Sequence, residues 1–294
     1  MESIWHDLSW VLPFRSEAAT AVMRVFTWVG YSTFYMLFLP LGFWLWRKPA
    51  FTRLAVIVAI SGCLNYFLKD FWQDPRPDIA MSLDGLVGKS YGLPSGHAQT
   101  STVLWLWLAY EVRRGWMWAL AVFVIAGIAM SRLYLGVHDV EDVVVGLAIG
   151  LAVVGGGMVV LRAIALPYLT LALVLLAGQA VVFTLWPGTP GSATGFGAFA
   201  VTWLLGANWE RQTVGYRPPP GARRVLVIVV GLAILMALFV GLKTLAGAID
   251  PEGDVAMYGA TVVITLYMTA GAPWMFRRLG LAGPQMALHG NDVK

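Results

Sequence analysis

The sequence predicts an all-α, polytopic membrane protein of about nine transmembrane helices, a helical-bundle core followed by a C-terminal helical extension. Three observations predict it. Of the 294 residues, 59% are hydrophobic and only 12% carry charge, with a mean hydropathy of +0.71; that leaves too little polar surface to cover a soluble domain of this length. The apolar residues fall in runs of about 20, the length that a helix rising about 1.5 Å per residue needs to cross a hydrocarbon layer about 30 Å thick. The basic residues gather in alternate loops, the asymmetry expected when cytoplasmic loops retain Lys and Arg.

The N-terminal segment carries Glu2, His6, Asp7 and Arg15 and lacks the basic start and apolar stretch of a cleaved signal; with Trp5, Leu8, Trp10 and Leu12 it reads as an interfacial segment. Candidate spans follow near 26–46, 54–71, 98–112, 115–131, 140–161, 167–185, 192–209, 225–245 and 255–275, the third short and the seventh Gly-rich. The clearest break in composition, 208–224, contains Pro218, Pro219 and Pro220 and reads as a linker. Two parts are expected: a core over 1–162 and an extension of four spans over 163–294.

An outer N-terminus and an inner C-terminus place Arg47, Lys48, Arg113, Arg114, Arg223, Arg224, Arg277 and Arg278 in cytoplasmic loops. The net charge of +4 is then a topology signal, not a sign of a nucleic-acid partner. Cys63 is the single cysteine and lies in an apolar run, which excludes an intramolecular disulfide and a cysteine zinc site. Trp44, Trp46, Trp72, Trp116, Trp118, Trp209 and Trp274 fall near span ends, as an aromatic belt would. Gly155, Gly156 and Gly157 within the fifth span point to close helix packing.

In this topology three polar clusters converge on the outer side. They are Lys69 to Pro77 with Arg76, then Pro94-Ser95-Gly96-His97, then Ser131-Arg132 with His138 and Asp142. The pattern Lys, six residues, Arg-Pro; Pro-Ser-Gly-His; Ser-Arg, five residues, His, three residues, Asp resembles the three signature motifs of the type 2 phosphatidic acid phosphatase superfamily. The resemblance covers about 26–161 and implies a helical-bundle membrane phosphatase.

The residue types suit phosphoryl transfer on physical grounds as well. His138 and Asp142 are four apart and share a helix face, so a carboxylate there can accept the Nδ1 proton and leave Nε2 to attack phosphorus, giving a phosphohistidine. His97 has the chemistry of a general acid and base. Charge spreads over three phosphoryl oxygens during transfer, and Lys69, Arg76 and Arg132 supply cations to meet it. Ser95 and the Gly96 N–H, at the start of the third span, complete the cradle. The resemblance implies the same assignment: His138 as nucleophile, Asp142 orienting it, His97 as acid and base, and Lys69, Arg76, Ser95, Gly96 and Arg132 on the phosphate. It implies no metal and no other cofactor. Asp139 and Glu141 are expected to face solvent, and His6 and His289 to lie without partners.

The leaving group is expected to be read by the loop 78–92, where Ile79, Met81, Leu83, Leu86 and Val87 would sit beside an acyl or prenyl chain. A lipid phosphate or isoprenoid diphosphate is the expected substrate, with membrane lipids as surroundings and a site facing the periplasm or exterior of a bacterial inner membrane. Nine spans with two ahead of the first motif also resemble glucose 6-phosphatase, which acts on a soluble ester. A lipid phosphotransferase and a non-catalytic lipid transporter are the further alternatives; retained motif charges weigh against the last, because unused charge near a bilayer is costly.

Overall fold

Ser16 opens the first helix: its hydroxyl accepts the Ala19 N–H at 3.2 Å and caps α1 (Glu17–Val29). In the computed structural model, which describes residues 5–85, 90–163, 166–186, 188, 191–249 and 255–284, α1 stops at Gly30 and α2 (Ser32–Leu45) departs at 55°. The run read as one span near 26–46 is therefore α2 with the last turn of α1, and the bend joins it to the rest of α1 as a pair over 17–45. Gly30 sits at the bend because a Cβ there would come within 2.4 Å of the His97 ring.

Beyond the bend come α3 (Lys48–Trp72), α4 (Gly96–Val112), α5 (Gly115–Tyr134) and α6 (Val140–Ala163). The extension holds α7 (Tyr168–Leu185), α8 (Gly191–Trp209), α9 (Arg223–Ile249) and α10 (Val255–Leu266), the last continuing through a π-helical turn into α11 (Ala272–Arg278). Pro49 fits the first turn of α3, where no intrahelical N–H is needed. At its other end Gln73 takes a left-handed φ of 52°, and Pro75 and Pro77 forbid continuation.

The helix that organises the core is α4, packed against α3, α5 and α6. Its small and hydroxylated residues let the neighbours close in: Thr102 donates to the Ala98 carbonyl at 2.7 Å and Ser101 at 3.3 Å, so their polarity is closed within the helix. Arg53 on α3 clamps both carboxylate oxygens of Glu111 on α4, at 2.7 and 2.8 Å; such a bidentate pair fixes direction as well as distance. In the extension α8 lies along α3, flanked by α7 and α10. One hydrophobic cluster, with Trp44, Trp107, Trp203 and Phe276 fully buried, runs through both parts.

Six helical runs are long and apolar enough to cross a membrane, and the bent pair brings the number to seven among the described residues. The expected figure of about nine is thus approximate. The remaining two runs are α4, with 17 residues, and the Gly-rich α8. Both bury many residues against other helices, so they need not be apolar all round.

Several expectations are corrected by packing. Trp44 is no belt residue: it is fully buried and donates its indole N–H to the Met268 carbonyl at 2.7 Å. Leu8 is only 2% exposed and packs with Val11 against Ala98, Ala129, Leu133 and Val143, so the N-terminal segment is a strap across helix ends, not only an interfacial float. Of the three consecutive glycines only Gly157 approaches a neighbour closely, next to Ile57 and Trp107, whereas Gly155 and Gly156 face open space. Met81 and Leu83 pack inward and leave Ile79, 88% exposed, as the projecting apolar residue of its loop; Leu86 and Val87, like His289, lie outside the described residues.

Candidate active site

Two loops and two helix ends bring the three polar clusters together. Gly136 turns the α5–α6 loop with a φ of +68°, and a Cβ there would fall 2.4 Å from the Met81 carbonyl oxygen; glycine alone allows both the conformation and the approach. The Leu83 N–H then donates to the Leu135 carbonyl at 2.9 Å and ties this loop to the one after α3. Asn65 donates from Nδ2 to the Pro94 carbonyl at 3.1 Å and to Gln99 Oε1 at 2.8 Å, which fixes the start of α4.

The result is a cavity of about 470 Å³ whose lining includes Lys69, Arg76, Gly96, His97, Arg132 and His138. Asp142 stands behind His138, and Ser95 lies beneath Gly96, fully buried. His138 Nδ1 is 2.7 Å from Asp142 Oδ2, and its Nε2 is 3.1 Å from Arg76 Nη1. With Nδ1–H donated to the carboxylate, Nε2 carries the lone pair. Burial first, then the charges of Arg76, Lys69 and Arg132, hold the His138 pKa well below the ordinary histidine value, so the imidazole is neutral.

The cations are held by carbonyls. Lys69 donates to the carbonyls of Tyr91 at 2.5 Å and Gly92 at 2.6 Å, which uses two of its three N–H bonds. Arg76 donates from Nε to the Ser90 carbonyl at 2.6 Å, from Nη2 to Ser90 Oγ at 3.0 Å and from Nη1 to the Val137 carbonyl at 2.8 Å. Arg132 donates from Nη1 to Thr27 Oγ1 and, at 3.0 Å, to Asp84 Oδ2. Four buried polar atoms around this centre, Ser95 Oγ, His97 Nε2, Arg132 Nε and Asp142 Oδ1, have no hydrogen-bond partner among the described residues. Buried polar atoms nearly always have one, so the centre is chemically suited to an added polar group that accepts and donates there.

Residues that spacing does not single out also take part. Asp84 accepts the Tyr31 hydroxyl at 2.5 Å as well as Arg132, and the Tyr31 ring meets the His97 ring edge-on at 4.6 Å between centroids. In the sequence Asp84 is one acid in a loop whose apolar residues carry the pattern. His6 does have partners: its Nδ1 lies 2.7 Å from Asp139 Oδ2 and its Nε2 3.4 Å from Glu141, and the Asp139 carboxylate raises its pKa. Asp139 is correspondingly buried instead of facing solvent, and its Oδ1 accepts the Asp142 N–H at 3.0 Å.

Residues 50–165 match the family model described as the PAP2 superfamily, and 193–284 match the PAP2 superfamily phosphatase, transmembrane extension. The chain is similar to lipid phosphate phosphatase delta of Arabidopsis thaliana, 32% identical over 139 residues, which cover 42% of this chain and 33% of that protein. Phosphatidylglycerophosphatase B of Bacillus subtilis is 30% identical over 150 residues, covering 47% of this chain and 72% of the relative. The crystal structure of a transmembrane PAP2-type phosphatidylglycerolphosphate phosphatase from Bacillus subtilis aligns with a TM-score of 0.47 at 23% identity, over 54% of this chain and 84% of that one. The chain thus spans about a third of the length of the plant relative but most of the bacterial one. Two family models along one integral membrane chain, and a relative matched over 72% of its length, establish that the chain belongs to the PAP2 superfamily.

Proposed function

We propose that the protein is a membrane phosphatase that hydrolyses a lipid phosphate or isoprenoid diphosphate through a phosphohistidine, without a metal, at a site facing the non-cytoplasmic side. The observation that carries the reading is the cavity where two histidines and three cationic side chains meet, with unpartnered buried polar atoms on His97 and Arg132 in its lining. The relatives named for lipid phosphates support the substrate class.

In this scheme His138 Nε2 attacks phosphorus, a P–N bond forms, and the bond to the ester oxygen breaks. His97 gives a proton to that oxygen. Asp142 holds the Nδ1 proton and offsets the positive charge that grows on the ring. Lys69, Arg76, Arg132, the Ser95 hydroxyl and the Gly96 N–H meet the phosphoryl oxygens, where charge accumulates in the transition state. Water then attacks the phosphohistidine while His97 takes its proton, and phosphate leaves as His138 is restored.

The test is purified protein with radiolabelled lipid phosphate under rapid quench. Wild type should carry acid-labile, base-stable label. His138→Ala should lose the label and, on the scale seen when a nucleophile is removed, on the order of 10⁴-fold or more in kcat. Near-normal turnover by that variant would remove His138 from the chemistry, and activity lost to a chelator and restored by magnesium would overturn the metal-free scheme.

A further inference from the structure

We propose that the C-terminal extension houses the substrate's hydrocarbon chain, in an apolar cavity between α2, α3, α8, α9 and α10 that adjoins the phosphate cavity at Phe196. This rests on the phosphatase reading and extends it to what the extension does.

The two cavities share Ser32, Tyr35, Tyr66, Ser192 and Phe196, yet their chemistry is opposite. One holds the cations. The other, about 370 Å³, takes its lining from residues such as Leu39, Val58, Phe199, Phe239, Ile264 and Met268, and its size falls within the roughly 300–1,000 Å³ usual for small-ligand sites. Two of its hydroxyls are turned to internal bonds: that of Thr265 donates to the Thr261 carbonyl at 2.7 Å, and that of Tyr35 pairs with Thr100 Oγ1 at 3.1 Å.

A lipid phosphate carries its charge at one end. With that end among Lys69, Arg76 and Arg132, the chain must leave in a direction where it meets no charge, and the shared wall supplies such a direction. A second apolar groove, about 470 Å³ between α3, α7 and α8, meets the phosphate cavity through Phe196 alone. Continuity therefore favours the α9–α10 side. Phe196 stands at all three boundaries, its ring held beside Tyr66 at 6.1 Å between centroids and against the space above Gly62. Because Phe196, Phe239 and Ile264 all belong to the extension, a core without it would have no such compartment.

The experiment measures kcat/KM for single-chain glycerol phosphate esters with 16-carbon and 6-carbon acyl groups. Gly195 lines the chain cavity, and a Cβ there meets only Tyr258 Cε1, at 3.9 Å, so Gly195→Leu fills the cavity without displacing backbone. Phe239→Trp fills it from the opposite wall, and Gly178→Leu fills the α3–α7–α8 groove, where a Cβ meets nothing within 4 Å. In wild type the longer ester should be favoured. Gly195→Leu and Phe239→Trp should each lower the 16-carbon to 6-carbon ratio about ten-fold, mainly through KM of the longer ester, while Gly178→Leu leaves the ratio in place. Hydrolysis of neither ester by wild type, nor of a 15-carbon prenyl diphosphate assayed beside them, would overturn the phosphatase reading itself. Hydrolysis of both, with a ratio that neither cavity variant moves or that Gly178→Leu moves instead, would overturn the chain compartment alone.

Discussion

Arg132 is already engaged by an anion of the protein's own, because Asp84 takes its Nη1 at 3.0 Å and the Tyr31 hydroxyl at 2.5 Å. A phosphate bound beside Arg132 has to share that cation with a carboxylate. Asp84→Asn keeps the shape and removes the charge, and it should strengthen inhibition by inorganic phosphate by about ten-fold, the scale of one close like-charge contact; weaker inhibition would mean that Asp84 aims Arg132 instead of competing for it. At His138 the sign of the pH effect follows from its depressed pKa. The unfolded imidazole takes a proton near pH 6.5 and the folded one only well below it, so its contribution to stability is full above about pH 6.5 and is lost as pH falls through the folded value. Melting curves between pH 7.5 and 5 should drop less steeply for His138→Gln than for wild type. The i, i+4 spacing made His138 and Asp142 legible in the sequence, and motif spacing marked the cations. Asp84, Tyr31 and His6 were not legible, since each reaches its partner across a loop closure that no period encodes.

Among the elements, the bend between α1 and α2 bears most directly on chemistry. Apolar runs marked where helices lie, but composition records burial without direction, so the 55° turn at Gly30, where a Cβ would meet the His97 ring, left no mark in it. For the same reason Trp44 read as a belt residue, although its ring is enclosed by α9 and the α10–α11 run. Gly30→Ala should displace the His97 ring, whose Cδ2 lies 2.4 Å from the added Cβ, with Ile128 3.3 Å away on another side. Since a displacement of about 1 Å can cost on the order of 100-fold, kcat should fall by that order while KM changes little. An unchanged kcat would show that α1 and α2 can move apart without disturbing His97. The strap offers a second case: the raised pKa of His6 means that its tie to Asp139 is complete below about pH 6.5 and is lost as pH rises through the folded value. Trp5 and Trp10 fluorescence should report that release in wild type and not in His6→Ala.

At the scale of the whole molecule, the helices set the phosphate cavity and the Arg53–Glu111 clamp far apart. Lys69 and Arg53 are both on α3, and at 1.5 Å per residue the helix separates them by about 24 Å, most of a hydrocarbon layer. Arg113 and Arg114 end α4 beside that clamp; the functional proposal takes this basic end as cytoplasmic, the side where basic loops are retained, and so predicts phosphate release outside. Ile79, 88% exposed in the loop after α3, and Trp116, 63% exposed at the start of α5, report the two ends. In a Cys63→Ala background, a membrane-impermeant maleimide applied to intact cells should label Ile79→Cys at once and Trp116→Cys only after the membrane is opened. The opposite pattern would turn the cavity toward the cytoplasm, and the basic loops would then face outward against the charge asymmetry from which the orientation was argued.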